Sequence, residues 1–252
     1  MHFNLLKLIY NGLLVTMPPF IANPINNNRI IAPIQLQPYS TYINYRLTPI
    51  QAQKISNYIS DYTDKLQLVP ISISQYQIPG YYLSINIYNC TSPLLMENTN
   101  IIRCELNTYV KSTDGNYGTL ILDYMSSGIS MDPINIFKDK NINIKFKNIE
   151  RENIIYCKSN RDDIHLDIEY QFTNREFHIS DKLITYTDLA YYKNAIADRV
   201  YYDSSLVDAK TKYGKLNKYY FKYKNMEFKK PDSVFYFENS IRFIGSVWDN
   251  LD

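Results

Sequence analysis

The sequence predicts a β-rich α+β fold: an antiparallel β-barrel or strongly coiled sheet with two helices packed on it. Three observations lead there. From Tyr81 to Asn143, strand-forming runs alternate at short intervals with turn signals, Asn98-Thr99-Asn100 and Asp114-Gly115-Asn116. Between Asp163 and Phe172 the pattern is strictly two-fold, with Ile164, Leu166, Ile168, Tyr170 and Phe172 alternating with His165, Asp167, Glu169 and Gln171. Helical spacing is clearest at Ala52, Ile55, Ile59 and Tyr62, which share one face while Gln51, Lys54 and Asp61 fall elsewhere.

Taken in order, residues 1–37 read as an extended N-terminal arm and 38–252 as a single domain. Leu5 to Val15 is apolar but interrupted by Lys7 and Asn11, and too short to span a bilayer as a helix. Residues 18–38 carry five prolines and Asn26-Asn27-Asn28, a composition poor in regular structure. A strand is predicted over Tyr39–Arg46. Thr48-Pro49 then supplies a cap and a first-turn proline for a helix over Pro49–Tyr62. After Asp114-Gly115-Asn116, Leu120, Ile121 and Leu122 begin another strand, which breaks at Ser126-Ser127-Gly128. Asp132-Pro133 restarts a short helical segment, followed by a strand from Asn141 to Phe146. Asp163 to Ile179 reads as a hairpin; with Thr173-Asn174 as a two-residue turn, Glu169 stands opposite His178 and Tyr170 opposite Phe177. Thr187-Asp188 is the predicted start of a second helix, running to about Asp198. Lys218–Lys224 and Val234–Val247 return the chain to β structure.

At 252 residues the chain suffices for one substantial core. Its abundant Tyr, Ile, Asn and Lys have AT-rich codons and report on the genome as much as on the fold. A net charge of +2 gives no overall steering toward nucleic acid or an anionic membrane. Lys210 to Lys230 holds eight lysines among six aromatic residues, the mixture a single-stranded nucleic-acid platform uses. Alternation nevertheless places Lys218, Tyr220, Lys222 and Lys224 on one face and Tyr219, Phe221 and Tyr223 on the other, so an ordinary strand with a lysine-bearing outer face is the better reading. Cys90, Cys104 and Cys157 are an odd set without C-x-x-C spacing, so no disulfide framework or metal centre is expected. They read as reduced thiols of an intracellular, cytoplasmic protein, or of a virion component if the source is viral. With no Gly-rich phosphate loop, no G-x-S-x-G and no H-E-x-x-H, the sequence implies no cofactor.

The central stretch Gly118 to Lys140 resembles the core of the acetoacetate decarboxylase family. In that family a strand ending in Leu-Asp leads through a short helix to a Tyr/Phe-Pro-Lys-Lys tetrad. Leu122-Asp123 matches the first element and Phe137-Lys138-Asp139-Lys140 the second. Tyr42–Thr48, Pro49–Tyr62, Leu66–Pro70, Tyr81–Ser92 and Ile101–Val110 follow the family's order of strand, helix, proline-ended link and two strands. The resemblance covers roughly residues 38–146 and implies a barrel with a central pocket, assembled into an oligomer.

It also implies the chemistry to look for. A lysine of the tetrad forms a Schiff base with a β-keto acid, and its lysine neighbour depresses its pKa. Here Asp139 stands in the nucleophile's place and Lys140 in the activator's, so the cationic pair is broken. The family's pocket glutamate is matched by Arg103, with Glu105 two residues on and therefore on the same strand face. The pair can anchor a carboxylate ligand or form an ordinary surface ion pair. Lys138, Asp139 and Lys140 are thus the candidate pocket floor and Arg103 and Glu105 the candidate ligand-binding pair. Glu169 and His178 form a second acid/base couple if their face of the hairpin lines a cavity. Two readings follow: a non-catalytic barrel kept for binding or assembly, or an active Schiff-base lyase that uses Lys138 or Lys140 on small keto acids. In both, the apolar arm and the Tyr-rich strands point to a homo-oligomer or a subunit of a larger assembly.

Overall fold

The computed structural model describes residues 34–91, 101–126, 142–149, 152–160, 163–192 and 199–249. Fifteen strands among them belong to one branched sheet. In chain order they begin with β1 (Ile34–Leu36), β2 (Thr41–Arg46), β3 (Leu66–Leu68), β4 (Tyr82–Thr91), β5 (Ile101–Ser112) and β6 (Tyr117–Ser126). Next come β7 (Ile142–Ile149), β8 (Glu152–Asn160), β9 (Ile164–Glu176), β10 (Leu189–Tyr192) and β11 (Arg199–Ser204). The last are β12 (Thr211–Tyr223), β13 (Met226–Phe228), β14 (Ser233–Phe237) and β15 (Ile241–Asp249).

β4, β5 and β6 form the expected antiparallel meander, turned at Asp114-Gly115-Asn116, where Gly115 takes φ 91° and its N–H donates to the Ser112 carbonyl at 3.0 Å. β6 then pairs with β10 in parallel, the one parallel ladder among the described strands of a predominantly antiparallel sheet, and it requires a long crossover. β10, β11, β15 and β1 continue antiparallel, and β1 returns to β4 through Leu36↔Cys90. The seven strands β4-β5-β6-β10-β11-β15-β1 thereby close a barrel. A wing leaves from the same β4: β2 pairs along Tyr82–Ile87, and β14, β12, β9, β8 and β7 follow outward.

β4 is therefore shared, and both its faces are covered. Leu83, Ile85 and Ile87 join one core with Cys104, Leu106 and Val110 of β5 and Leu166, Ile168, Phe221 and Tyr223 of the wing. Tyr82, Tyr88 and Cys90 face the other, with Tyr109, Phe177, Phe235, Phe237 and Ile241. Cys90 and Cys104 are buried thiols on opposite sides of the sheet.

Helix α1 (Pro49–Ser60) forms for the reasons read from the sequence. Thr48 caps it through a reciprocal box: the Gln51 backbone N–H donates to Thr48 Oγ1 at 3.3 Å, and the Thr48 N–H donates to Gln51 Oε1 at 3.0 Å. Ala52, Ile55 and Ile59 bury its apolar face in the first core. Helix α2 lies at Asp181–Thr187, earlier than predicted. Ser180 is its cap, accepting from the Leu183 N–H at 3.1 Å, while Asp188 ends the helix and residues 189–192 are strand. A Thr-Asp pair serves a helix exit as readily as an entrance, and the buried spacing Leu183–Tyr186 decides for the earlier position.

The predicted hairpin is a second correction. β9 runs unbroken from Ile164 to Glu176 and pairs with β12 on one side and β8 on the other. Phe172↔Gly214 and Glu176↔Lys212 bracket a register shift that places Thr173, Asn174 and Arg175 in a bulge, fastened by Thr173 Oγ1 donating to the Tyr213 carbonyl at 2.6 Å. Residues suited to a tight turn are here used to bulge a long strand. β12 is an interior strand, with Phe221 and Tyr223 buried and both Tyr219 and Tyr220 exposed.

Candidate ligand site in the barrel

Strand alternation on β4 and β5 builds the site. Tyr88 stands opposite Arg103, Asn86 opposite Glu105 and Ser84 opposite Asn107, so one continuous polar strip faces the barrel interior. It is deeply buried: Arg103 is 1% exposed, Asn107 2%, Asn86 4% and Glu105 6%. The strip borders a cavity of about 80 Å³ to which all seven barrel strands contribute lining, among them Leu36, Thr119, Ala190, Tyr192, Tyr202 and Phe243. Tyr42 and Thr187, the last residue of α2, complete the wall. At roughly 10–15 Å³ per enclosed water, this space suits about five to eight waters or an organic acid of comparable size.

Glu105 is held from two sides. Tyr88 Oη donates to Oε1 and Asn107 Nδ2 donates to Oε2 at 3.4 Å. Two accepting oxygens are the pattern of an ionised carboxylate. Burial raises the Tyr88 phenol well above its ordinary pKa; Glu105 adds to the rise and the Arg103 guanidinium opposes it. The Tyr42 phenol is raised too, by burial first, then by Tyr109 and Glu105. Both tyrosines therefore stay protonated as hydrogen-bond donors through the physiological range. Below the strip, Ser84 Oγ donates to Asn44 Oδ1 at 2.7 Å and lies 3.1 Å from the Tyr109 hydroxyl, a neutral network that fixes the base. Thr119 Oγ1 donates to the Tyr186 carbonyl at 3.0 Å, tying β6 to α2. Two acceptors are left over: among the described residues, Asn86 Oδ1 and Asn107 Oδ1 have no hydrogen-bond partner. A buried acceptor without a donor costs about 1–3 kcal/mol.

No protein-family profile matches the sequence, and a search of curated proteins finds no match. Solved structures do match. One is an acetoacetate decarboxylase, 9% identical, covering 94% of this chain and 96% of its own at a TM-score of 0.50. Another is an acetoacetate decarboxylase-like enzyme from Sphingomonas wittichii RW1, 10% identical, covering 88% and 93% at a TM-score of 0.47. The fold is acetoacetate decarboxylase-like.

Within this acetoacetate decarboxylase-like barrel, the predicted residues separate into three groups. Arg103 and Glu105 share a face as expected, and that face is the buried barrel interior, which removes the reading of the pair as a surface ion pair. Lys138, Asp139 and Lys140 lie outside the described residues. Glu169 and His178 do not come together. Glu169 pairs across strands with Lys218 and Tyr156, and accepts from Asn217 Nδ2 at 3.3 Å. His178 is exposed, its ring edge-on to Tyr76, at a broad surface depression of about 650 Å³ with Glu176, Asp181 and the ion-paired Lys212 and Glu238. The couple failed with the hairpin that was to create it. Among the described residues, no three His, Cys, Asp or Glu side chains are grouped to hold a metal ion, and no helix is long and apolar enough to cross a membrane.

Asn86, Tyr88 and Asn107 were missed. The signal was present: Asn107 continues the Arg103, Glu105 alternation, and Ser84, Asn86 and Tyr88 alternate with Leu83, Ile85 and Ile87. Polar residues at every second position ordinarily mark a wet face, and here they line the inside of the barrel.

Proposed function

We propose that the chain is a non-catalytic barrel that binds a small carboxylate-bearing molecule at Arg103. The observation that carries this reading is a guanidinium 1% exposed on the wall of a barrel cavity of about 80 Å³. A buried arginine is a costly group to retain for packing alone, and its planar fork matches a carboxylate. The resemblance adds Asp139 at the position of the Schiff-base lysine, and an aspartate cannot form an imine. Calorimetric titration with acetate, propionate and acetoacetate is the test: micromolar to millimolar binding in the full chain, reduced at least tenfold in Arg103→Met, supports the reading. Equal affinity in the two proteins would remove it.

The alternative is a lyase. One of the matching solved structures is an acetoacetate decarboxylase, and a keto acid would meet Lys138 or Lys140 here. Fold likeness alone carries no activity. Borohydride reduction in the presence of acetoacetate, followed by mass spectrometry, separates the two readings. A stable adduct on Lys138 or Lys140 would establish the lyase; an unmodified chain is the expected result. On either reading the chain is taken to work as a homo-oligomer or as part of a larger assembly. Light scattering at micromolar concentration should give a mass above 29.7 kDa, and a monomer would count against it.

A further inference from the structure

The end of the molecule where β2 stops and β4 begins carries a surface separate from the barrel cavity. Three loops meet there and are tied to one another. Arg46 Nη2 donates to the Ile78 carbonyl at 2.6 Å and to Tyr82 Oη at 2.7 Å. Tyr82 Oη in turn donates to Asp232 Oδ2 at 2.8 Å, and Gln77 Nε2 donates to the same oxygen at 3.3 Å. The Leu47 N–H donates to the Tyr81 carbonyl at 2.8 Å, and Gln51 Nε2 to the Glu227 carbonyl at 3.2 Å. The loop carrying Tyr76 and Ile78 is closed at its base by the Ile71–Gly80 bridge and fastened through Ser74 to Ile179.

These fixed loops hold apolar side chains out in water. Ile78 is 80% exposed, Tyr76 78% and Ile50 72%, and Tyr81 is exposed beside them. They are four of the nine exposed large apolar or aromatic side chains among the described residues, gathered at one end of the chain's fold. Lysines stand with them. Lys54 lies one turn along α1 from Ile50 and on its face, while Lys229 and Lys230 lead into Asp232; all three are exposed. The acids nearby already face cations: Asp232 lies 3.6 Å from Arg46, and Glu227 stands opposite Lys222 in the β12–β13 ladder. This end is therefore apolar at its tips and positive around them.

We propose that it docks on an anionic lipid surface, with Ile50, Tyr76 and Ile78 entering the interface and Lys54, Lys229 and Lys230 meeting the headgroups. Side chains this exposed stand out from the protein and can enter a soft headgroup layer, whereas a rigid protein partner would need a matching socket for each. Tyrosine adds an amphipathic ring suited to that boundary. Each lysine close to an anionic leaflet adds an attraction that salt screens. A second copy joined about a two-fold axis would bring the same lysines together, so charge complementarity favours an anionic partner. With a net charge of only +2 on the whole chain, the attachment is local and oriented.

Cosedimentation of the full chain with vesicles tests this, using phosphatidylcholine and phosphatidylserine in equal parts against phosphatidylcholine alone. Binding to the mixed vesicles should be about tenfold or more the stronger and should fall as salt is added. Lys229→Gln combined with Lys230→Gln should weaken it about tenfold to thirtyfold. Tyr76→Ser combined with Ile78→Ser should weaken it about tenfold or more. Circular dichroism checks that both variants fold; if either does not, the comparison of the two vesicle types on wild type still decides. No binding to mixed vesicles would overturn the proposal, as would equal binding to both types or a serine variant that binds like wild type. Binding to polyglutamate but to no vesicle would replace the lipid with an acidic protein. If the serine variant instead turns an oligomer into a monomer in light scattering, and vesicles stay unbound, the surface is a contact between copies.

Discussion

Arg103 sits one cross-strand pair from Glu105, and the two carry most of the charge of the barrel interior among its described lining residues. Replacing Arg103 with Met should keep much of the side chain's packing and remove the charge that opposes the rise in the Tyr88 pKa. Ligand binding should fall while the fold persists, which calorimetry and circular dichroism together read out. Asp114 shows the same principle at the rim. The Ser112 hydroxyl donates to it, as do the Asn116 amide at 2.9 Å and the Arg199 guanidinium at 2.6 Å. Led by the Ser112 hydrogen bond, these lower its pKa from 3.8 to about 2. A depressed carboxylate stabilises the fold above its unfolded pKa and loses that contribution as pH falls through the folded value. Asp114→Asn should therefore cost stability at neutral pH, at most about 1 kcal/mol given its half-exposed position. The difference from wild type should shrink from about pH 4 downward and vanish below about pH 2, measured by urea denaturation across that range. A constant difference down to pH 2 would assign the effect to geometry instead of charge.

Elements were legible where their signals are local. The capping box and apolar face of α1 are both written within fifteen residues, and Thr48→Ala should cost about 1 kcal/mol. The two-fold pattern of β9 was likewise visible, and Ile164, Leu166, Ile168 and Tyr170 are all buried. What the pattern did not contain was a partner. Thr173-Asn174 reads as a turn until β12 is laid alongside and takes up the slack as a bulge. Arg103 and Glu105 were found because residues two apart on a strand share a face whatever that strand pairs with. Asn86 and Tyr88 joined them only when β4 was set against β5 in register. Gly118 is a similar case. A Cβ there would lie 2.5 Å from the Leu189 carbonyl oxygen and 2.8 Å from the Tyr191 ring, so the parallel β6–β10 pairing needs a glycine at that point. Gly118→Ala should destabilise by about 1–3 kcal/mol, and Gly118→Val by more, in urea unfolding followed by circular dichroism. An alanine variant as stable as wild type would mean that the two strands separate easily.

At the scale of the whole molecule, β4 belongs to the barrel and the wing at once, with its two faces in the two cores. The barrel and wing therefore should not melt separately. Far-UV circular dichroism and the fluorescence of Trp248, the chain's single tryptophan, carried on β15, are expected to trace one coincident urea transition. Two separated transitions would show that the shared strand does not couple them. The barrel is also closed by β1, three residues long, lying between β4 and β15. Its partners there, Ile34↔Phe243 and Leu36↔Ile241, are about two hundred positions apart in the chain. On a ribosome that emits roughly 5–20 residues per second, the closing strand waits ten seconds or more for its mate to be synthesised. Throughout that interval the growing polypeptide exposes the unpaired edge of an open sheet. Nascent chains of this protein should therefore engage chaperones until β15 has been synthesised and the ring can close.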